Sequence, residues 1–259
     1  MKFPSLLKHN LSITQKIVVA ALLMVLAMIF QKVFAINYIA VIPFLRVSLG
    51  GPALIILASI WLGPLYGLLV GLGSDVLGYF LLDPKNLSFF PQITAIYALL
   101  GFSAYFVFLL IRNIKNKWMF LVEIITMLAV YTFVTVFLFV SKEIKLYSST
   151  YVLELWQKFL IAGILLLLFL IIIIFVYLFN RRHQDRSDAT FDAYTISFSC
   201  FILELFVMVI FGTVMKGLAF GFFTYPMILV CQIIVLFINI PLNTVLISYL
   251  SSIIETNRF

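Results

Sequence analysis

Residues 63–78 read Gly-Pro-Leu-Tyr-Gly-Leu-Leu-Val-Gly-Leu-Gly-Ser-Asp-Val-Leu-Gly, and residues 46–53, a short distance before them, read Arg-Val-Ser-Leu-Gly-Gly-Pro-Ala. In the longer stretch, steps of four, four, three and four separate small residues that share one helix face: Gly63, Gly67, Gly71, Ser74 and Gly78. Such a face lets the backbone of another helix approach closely, as is typical of helices in lipid. The stretch therefore predicts a tightly packed membrane helix.

The composition of the whole chain indicates the same environment. Of its 259 residues 64% are hydrophobic and 10% are charged, and the mean hydropathy is +1.21. The long unbroken apolar runs exclude a β-barrel, whose strands alternate between apolar and polar residues. A bilayer core of about 30 Å needs about 20 apolar residues per helix, so we expect about eight transmembrane helices. The predicted fold is one all-α, polytopic membrane domain over residues 1–259.

Eight apolar runs supply these helices. The first, residues 17–30, follows several lysines like a secretory signal, but no small-residue cleavage site comes after it, so we expect a retained anchor. Glycine ends a helix and proline opens one, so Gly63-Pro64 predicts an antiparallel hairpin of the second and third helices. The other runs are approximately 48–62, 64–82, 91–111, 119–140, 158–179, 193–215 and 225–250.

Basic residues predict the orientation of the chain through the positive-inside rule. Eight crossings place both termini on one side, and that side receives ten of the 17 lysines and arginines. These ten lie at the N-terminus, in the 112–118 and 180–192 loops and at Arg258. The net charge of +7 fits loops beside anionic lipid rather than a nucleic-acid site. We expect a multi-pass protein of the cell membrane with cytoplasmic termini.

The sequence lacks the common motifs of nucleotide-binding and catalytic sites. It has no GxxxxGK[ST] loop that would cradle ATP phosphates, and no HExxH or GxSxG. The two histidines, His9 and His183, lie in terminal or loop positions, and Cys200 and Cys231 lie singly inside apolar runs. We therefore expect neither an enzyme, nor a metal site, nor a cofactor, and any ATP-driven work must come from a partner.

Three acidic residues are expected inside the bilayer. Asp75 lies beside the small-residue face and needs a helix N-terminus, a hydroxyl or a basic residue, because an isolated carboxylate in hydrocarbon costs several kcal/mol. Glu123 lies near enough to the cytoplasmic end of its helix for its carboxylate to snorkel to water. Glu204 lies inside the seventh apolar run.

The last helix carries amides within an apolar run. Gln232, Asn239 and Asn243 follow steps of seven and four residues and therefore share a face. Pro241 should kink this helix and free a backbone carbonyl near Phe237. Two interpretations stay open for the amides: hydrogen bonds between helices, or a stripe that binds a substrate.

These motifs, in their order and spacing, resemble the substrate-binding S components of energy-coupling factor (ECF) vitamin transporters, most closely the folate group. The resemblance covers residues 15–112 and rests on Arg46-Val-Ser48, Gly51-Pro52, Gly63-Pro64-Leu-Tyr-Gly67, Gly71, Ser74-Asp75-Val-Leu-Gly78 and Phe89-Phe90-Pro91-Gln92-Ile-Thr94-Ala95. It implies a protein that captures a vitamin outside and associates with a membrane scaffold subunit and two cytosolic ATPases. The family has six helices, so we predict that residues 1–118 and 181–259 supply this core and that 119–180 are an inserted helix pair.

The resemblance also implies roles for individual residues. Arg46 would bind an anionic group of the substrate, Phe89 and Phe90 would stack on a flat ring, Gln92 and Thr94 would hydrogen bond, and Tyr225 would form a second aromatic wall. Ala20, Ala21 and Ala27 would face the scaffold, while Gly67, Gly71, Ser74, Asp75 and Gly78 are assigned to helix packing.

Other substrates and other classes of protein remain as alternatives. The chain reads Thr224-Tyr225-Pro226-Met227-Ile228 where the folate group has a basic residue, so a different vitamin is an alternative substrate. A self-sufficient secondary carrier or channel would transport without ATPase partners and depend on protonation of Asp75 or Glu204. An assembly subunit would bind no small molecule.

Overall fold

The computed structural model of the chain is a helical bundle with two short β-hairpins in its connections. It describes residues 6, 11–39, 42–48, 50–82, 89–112, 114, 116–141, 143–146, 149–152, 154–183, 192–220 and 225–256. The helices are α1 (Ile13–Lys32), α2 (Gly51–Leu62), α3 (Pro64–Leu82), α4 (Pro91–Ile111), α5 (Asn116–Val140), α6 (Leu155–His183), α7 (Ala193–Leu203), α8 (Gly212–Phe220) and α9 (Tyr225–Thr256). A π-helical segment, Glu204–Phe211, joins α7 and α8 into one rod.

The hairpins form in two of the connections between helices. Strand β1 (Ile36–Ile39) pairs antiparallel with β2 (Ile42–Val47), and β3 (Glu143–Leu146) pairs antiparallel with β4 (Ser149–Val152). The sequence analysis predicted helices alone and left these two segments as connections between them. Main-chain groups near lipid must be paired within the protein, and a hairpin provides such pairs.

Seven of the described helices are long and apolar enough to cross a membrane, with the α7–α8 rod counted as one. The predicted polytopic all-α bundle is therefore confirmed. The exception is α2, whose 12 residues rise only about 18 Å, less than the thickness of a bilayer core. The prediction that residues 48–62 form a full transmembrane crossing was therefore wrong, because the helix is too short to span the bilayer core.

Helix α2 lies inside the bundle. All of its residues except Trp61 are buried, as expected for a helix that is apolar on every face. It begins after Gly50, which has a φ of 85°, a value that favours glycine. A Cβ on Gly50 would lie 2.5 Å from Cδ1 of Leu246 in α9 and 3.2 Å from Cδ1 of Phe30 in α1. The first turn of α2 is thus enclosed by other helices.

Helices α3 and α4 make direct backbone contact. A Cβ on Gly67 would lie 2.4 Å from the carbonyl oxygen of Gly101, and a Cβ on Gly101 would lie 2.0 Å from the carbonyl oxygen of Gly67. One turn along α3, a Cβ on Gly71 would lie 2.1 Å from the carbonyl oxygen of Tyr97. No residue larger than glycine fits at these three positions without separation of the helices.

The buried side chains form two apolar clusters. The first joins α1–α4 with the α7–α8 rod and the second half of α9. The second joins α5 and α6 with the end of α4, with α7 and with α9. Helices α5 and α6 pack on each other, on α7 and on α9. The bundle therefore has a core of α1–α4 and α7–α9, with the pair α5–α6 on one side.

Replacement of Gly71 by alanine should destabilise the bundle, because its Cβ would meet backbone atoms of α4 rather than a mobile side chain. We expect a loss of about 1–3 kcal/mol in the free energy of unfolding, measured by SDS titration of the purified protein. The matched control is Gly163→Ala in α6, where an added Cβ would have no atom within 4 Å. That control should be neutral or slightly stabilising, and equal stabilities of the two variants would contradict the packing described here.

Candidate functional site

Five polar side chains gather where α1 ends and α4 begins. Gln31 and Lys32 come from the last turn of α1, Ser74 and Asp75 from α3, and Thr94 from the first turns of α4. We call this group the Asp75 cluster. The side chains of Lys32 and Asp75 are only 9% and 7% exposed, so their charges are largely shielded from solvent.

Asp75 is held from two sides. The hydroxyl of Thr94 donates to Oδ2 at 2.7 Å, and the ammonium of Lys32 lies 3.4 Å from Oδ1. Both carboxylate oxygens therefore have a partner, and the ion pair balances the charge. A hydroxyl and a basic residue are two of the three kinds of partner that the sequence analysis required for this carboxylate.

The course of the Lys32 side chain depends on a glycine. A Cβ on Gly78 would lie 2.8 Å from Cε of Lys32 and 3.2 Å from Cγ of Met28. The absence of a side chain at Gly78 lets the methylene chain of Lys32 cross the surface of α3 and bring its ammonium to Asp75, one turn away.

Gln31 connects the cluster to the beginning of α2. Its side-chain amide donates to Oγ of Ser74 at 3.3 Å, and that hydroxyl donates to the carbonyl oxygen of Gly71 at 3.1 Å. A Cβ on Gly51 would lie 2.4 Å from Cγ of Gln31. The N-terminal turn of α2 carries partial positive charge and therefore adds a region that favours anions beside the cluster.

Aromatic rings lie next to the cluster. The ring of Phe89 is 5.2 Å from that of Tyr79 and is stacked on Phe80 at 6.0 Å. Phe89 is 38% exposed, so part of this aromatic surface is open to a ligand or to lipid.

The structure brings some of the predicted binding residues together. Thr94 belongs to the Asp75 cluster, Phe89 and Phe90 precede α4, and Phe90 is its N-cap. Gln92 is half-buried, and among the described residues its Oε1 has no hydrogen-bond partner. These four residues therefore surround the beginning of α4.

Two predicted binding residues are described by their backbone alone. Arg46 lies in β2, where its Cα is paired with that of Asn37, and β2 packs against α9. Tyr225 is the first residue of α9. The side chains of Arg46 and Tyr225 lie outside the described part of the structure.

The predicted packing and docking residues have different surroundings. Gly67 and Gly71 lie against the backbone of α4, Ser74 and Asp75 belong to the Asp75 cluster, and Gly78 lies beside Lys32. In α1, Ala20 and Ala27 are buried within the chain, whereas Ala21 is exposed.

Sequence reasoning missed Gln31 and Lys32 as members of the site. Lys32 was one of the seven lysines and arginines that the sequence analysis did not assign to the cytoplasmic side. The available signal was a pair of polar residues that ends an otherwise apolar run, since such residues are costly in lipid unless they find partners.

Two further carboxylates lie within the bundle. Glu123 is 2% exposed, and its Oε1 accepts a hydrogen bond from Ser197 at 2.7 Å. The prediction that Glu123 snorkels to water was therefore wrong, because a hydroxyl on α7 provides a nearer partner. Glu204 accepts hydrogen bonds from Asn239 and Asn243, so the amides of α9 do join two helices.

The Asp75 cluster and its surroundings have the composition of a small-molecule binding site. Within the described ranges, no group of three or more His, Cys, Asp or Glu side chains is placed to hold a metal ion. The cluster instead combines a neutralised ion pair, amide and hydroxyl groups, a helix N-terminus and an aromatic surface. A few fixed polar groups beside apolar and aromatic walls are typical of a site for a small organic molecule.

The sequence matches the model of a known protein family. The sequence model of the family described as "ECF transporter, substrate-specific component" matches residues 15–157, more than half of the chain. The match runs from α1 through α5 and both hairpins to the beginning of α6. No curated protein and no solved structure matches the chain.

Thr94→Val should destabilise the protein, because it removes the hydroxyl that donates to the buried Asp75 carboxylate. A hydrogen bond to a charged group contributes about 1.5–3 kcal/mol, and we expect a loss of that size in unfolding by SDS. The control is Thr132→Val in α5, whose exposed hydroxyl donates to the carbonyl of Ala129 in its own helix. That substitution should change stability by less than about 0.5 kcal/mol. Equal effects of the two substitutions would mean that the Thr94–Asp75 bond contributes little.

Proposed function

Because the chain belongs to the family of ECF transporter substrate-specific components, we propose that it captures a vitamin and delivers it to partner subunits for ATP-driven uptake. The first candidate substrate is folate or a related heterocycle. The family is one of transport components rather than of enzymes, and the sequence has no nucleotide-binding motif of its own.

The Asp75 cluster is the observation that carries this proposal. It places an ion pair, a glutamine and two hydroxyl groups where α1, α3 and α4 meet, with the first turn of α2 beside them. A bundle that only packed its helices would have little need for such a group, since buried polar residues in lipid are expensive. Hydrogen-bonding groups fixed by one another are suited to recognising a polar heterocycle without large rearrangement.

The proposed substrate class is supported by the groups around the beginning of α4. Phe89 and Phe90 would stack on a flat ring, while Gln92, with its unpartnered Oε1 among the described residues, would accept a hydrogen bond from an amino group on that ring. Arg46 would pair with a carboxylate, and Tyr225 would close the site from α9. A pterin ring with a glutamate tail has all of these features, and another flat, anionic vitamin would have most of them.

The partners in this proposal are a membrane scaffold subunit and two cytosolic ATPases. On α1, the exposed Ala21 would contribute to the scaffold contact, because a small residue lets another helix approach closely. Both termini would lie in the cytoplasm, on the side of the basic loops.

Helices α5 and α6 would be an addition to the six-helix core. Their packing on α7 and α9 supports this assignment, because the core of α1–α4 and α7–α9 is joined without them. The family match extends through α5, so the inserted pair stays a prediction.

Binding of reduced folate to the purified protein tests the proposed substrate. We expect saturable binding by isothermal titration calorimetry, with weaker or no competition from thiamine, riboflavin or pantothenate. Arg46→Ala should weaken binding by about tenfold or more, because loss of one charged hydrogen bond costs about 1.5–3 kcal/mol. The control is Arg112→Ala, at the exposed C-cap of α4, which should bind like the wild type.

The outcomes of that experiment are distinct. Tight binding of another vitamin would keep the class of protein and replace folate as the substrate. If well-folded protein bound none of the four compounds, the proposal of a vitamin-binding component would be contradicted.

Transport by the isolated chain provides a separate test of dependence on partners. In proteoliposomes that contain this chain alone, we expect binding of the vitamin but no accumulation, with or without a proton gradient. Co-reconstitution with a scaffold and its ATPases should give uptake that requires ATP. Accumulation by the chain alone, driven by a proton gradient, would instead support the secondary-carrier alternative.

A further inference from the structure

A second polar group, separate from the Asp75 cluster, lies between the α7–α8 rod and α9. Glu204 is the first residue of the π-helical segment and is 0% exposed. The side-chain amides of Asn239 and Asn243 donate to Oε1 of Glu204 at 3.3 and 2.9 Å. These three residues form the Glu204 cluster.

Three oxygen acceptors of the Glu204 cluster lack a hydrogen-bond donor among the described residues. Oε2 of Glu204, Oδ1 of Asn239 and Oδ1 of Asn243 are buried, and none of them has a hydrogen-bond partner among the described residues. Each amide oxygen belongs to the same planar group as the nitrogen that donates to Oε1, so it stays near the carboxylate. Three unpartnered oxygens in one buried group are costly unless something else binds them.

The backbone around the cluster is irregular in both helices. Glu204 opens a π-helical segment, and such segments often occur at functional sites. In α9, Pro241 lies between the two asparagines and has no N–H to donate to the carbonyl of Phe237. Membrane transport proteins use such released carbonyls to coordinate cations.

We propose that Glu204, Asn239 and Asn243 form a binding site for a small dehydrated monovalent metal cation, with sodium as the test ion. Hard cations prefer oxygen ligands, and the unpartnered atoms here are all oxygens. The carboxylate supplies one negative charge, which a monovalent ion balances. Asn239 and Asn243 are as fully buried as Glu204, so the enclosed site suits an ion rather than a vitamin.

Lys216 on α8 interacts electrostatically with the carboxylate of Glu204. Within the described residues, however, no cationic side chain lies within 4.0 Å of Glu204, whereas Lys32 does lie that close to Asp75. The ammonium of Lys216 therefore offsets part of the charge without occupying the oxygens of the cluster.

A proton or a water molecule would satisfy the cluster less completely. Protonation of Glu204 at Oε2 would turn that oxygen into a donor. Its single O–H could then reach only one of the two asparagine Oδ1 atoms. A water molecule has two hydrogens and carries no charge to balance the carboxylate. A cation binds carboxylate and amide oxygens alike and balances the single negative charge of Glu204, so it matches both the kind of atom that lacks a partner and the charge.

The decisive measurement is binding of ²²Na⁺ to the wild-type protein in detergent, prepared in choline chloride at constant ionic strength and without any vitamin. We expect saturable, one-to-one binding and a rise in Tm with sodium that choline does not produce, because a ligand that binds the native state stabilises it. No vitamin or partner subunit is involved, so the result is independent of the proposed transport function.

Three variants locate the site. Glu204→Gln keeps the shape of the side chain and should abolish ²²Na⁺ binding, and Asn243→Ala should weaken it by about tenfold or more. Glu123→Gln is the matched control, because Glu123 is also a buried carboxylate but has the Ser197 hydroxyl as its partner. This control should bind sodium like the wild type.

Two results would overturn the proposal. One is the absence of ²²Na⁺ binding by folded wild-type protein. The other is a gain in Tm on acidification, independent of sodium and lost in Glu204→Gln, which would assign a proton to the site. If Glu204→Gln does not fold, the wild-type titration and the Asn243→Ala variant still decide between these outcomes.

Discussion

The structure depends on the backbone contact between α3 and α4. In a bilayer, helices gain little from hydrophobic burial against one another, so close packing and polar contacts decide which helices associate. Gly67 against Gly101 and Gly71 against Tyr97 set an antiparallel register. One turn further along α3, the same register brings Asp75 to Thr94. The position of the Asp75 cluster is therefore a consequence of the glycines of α3 that contact α4.

Local patterns in the sequence predicted the helices and the small-residue face well, because each depends on neighbouring residues. Gly63-Pro64 separates α2 from α3 as expected, and the apolar runs end close to the observed helix ends. The partners of Asp75 were only partly predictable. A carboxylate in lipid requires partners, but no local pattern shows that Lys32, 43 residues away, is one of them. For the same reason, Glu204 and the amides of α9 were noticed separately and not as one cluster.

The short helix α2 explains why a hairpin precedes it. Helix α2 spans only part of a bilayer, and its first turn is enclosed by Phe30 and Leu246. The chain that leaves α1 must therefore return into the bundle before α2 can begin. Irregular backbone at that depth would leave main-chain groups without partners, which hydrocarbon does not tolerate. Pairing of β1 with β2 satisfies some of these groups, and β2 packs against α9.

The two polar clusters differ in how the charge of their carboxylate is balanced within the described residues. At Asp75 the ammonium of Lys32 and the hydroxyl of Thr94 occupy both carboxylate oxygens. The partners of Glu204 are two neutral amides that share one of its oxygens. An ion pair that is complete within the protein can fix the shape of a site for an organic molecule, because it needs no additional charge. The hydrogen-bond donors of Glu204 are neutral, so within the described residues no ion pair balances its charge at short range. The proposed cation site rests on this difference.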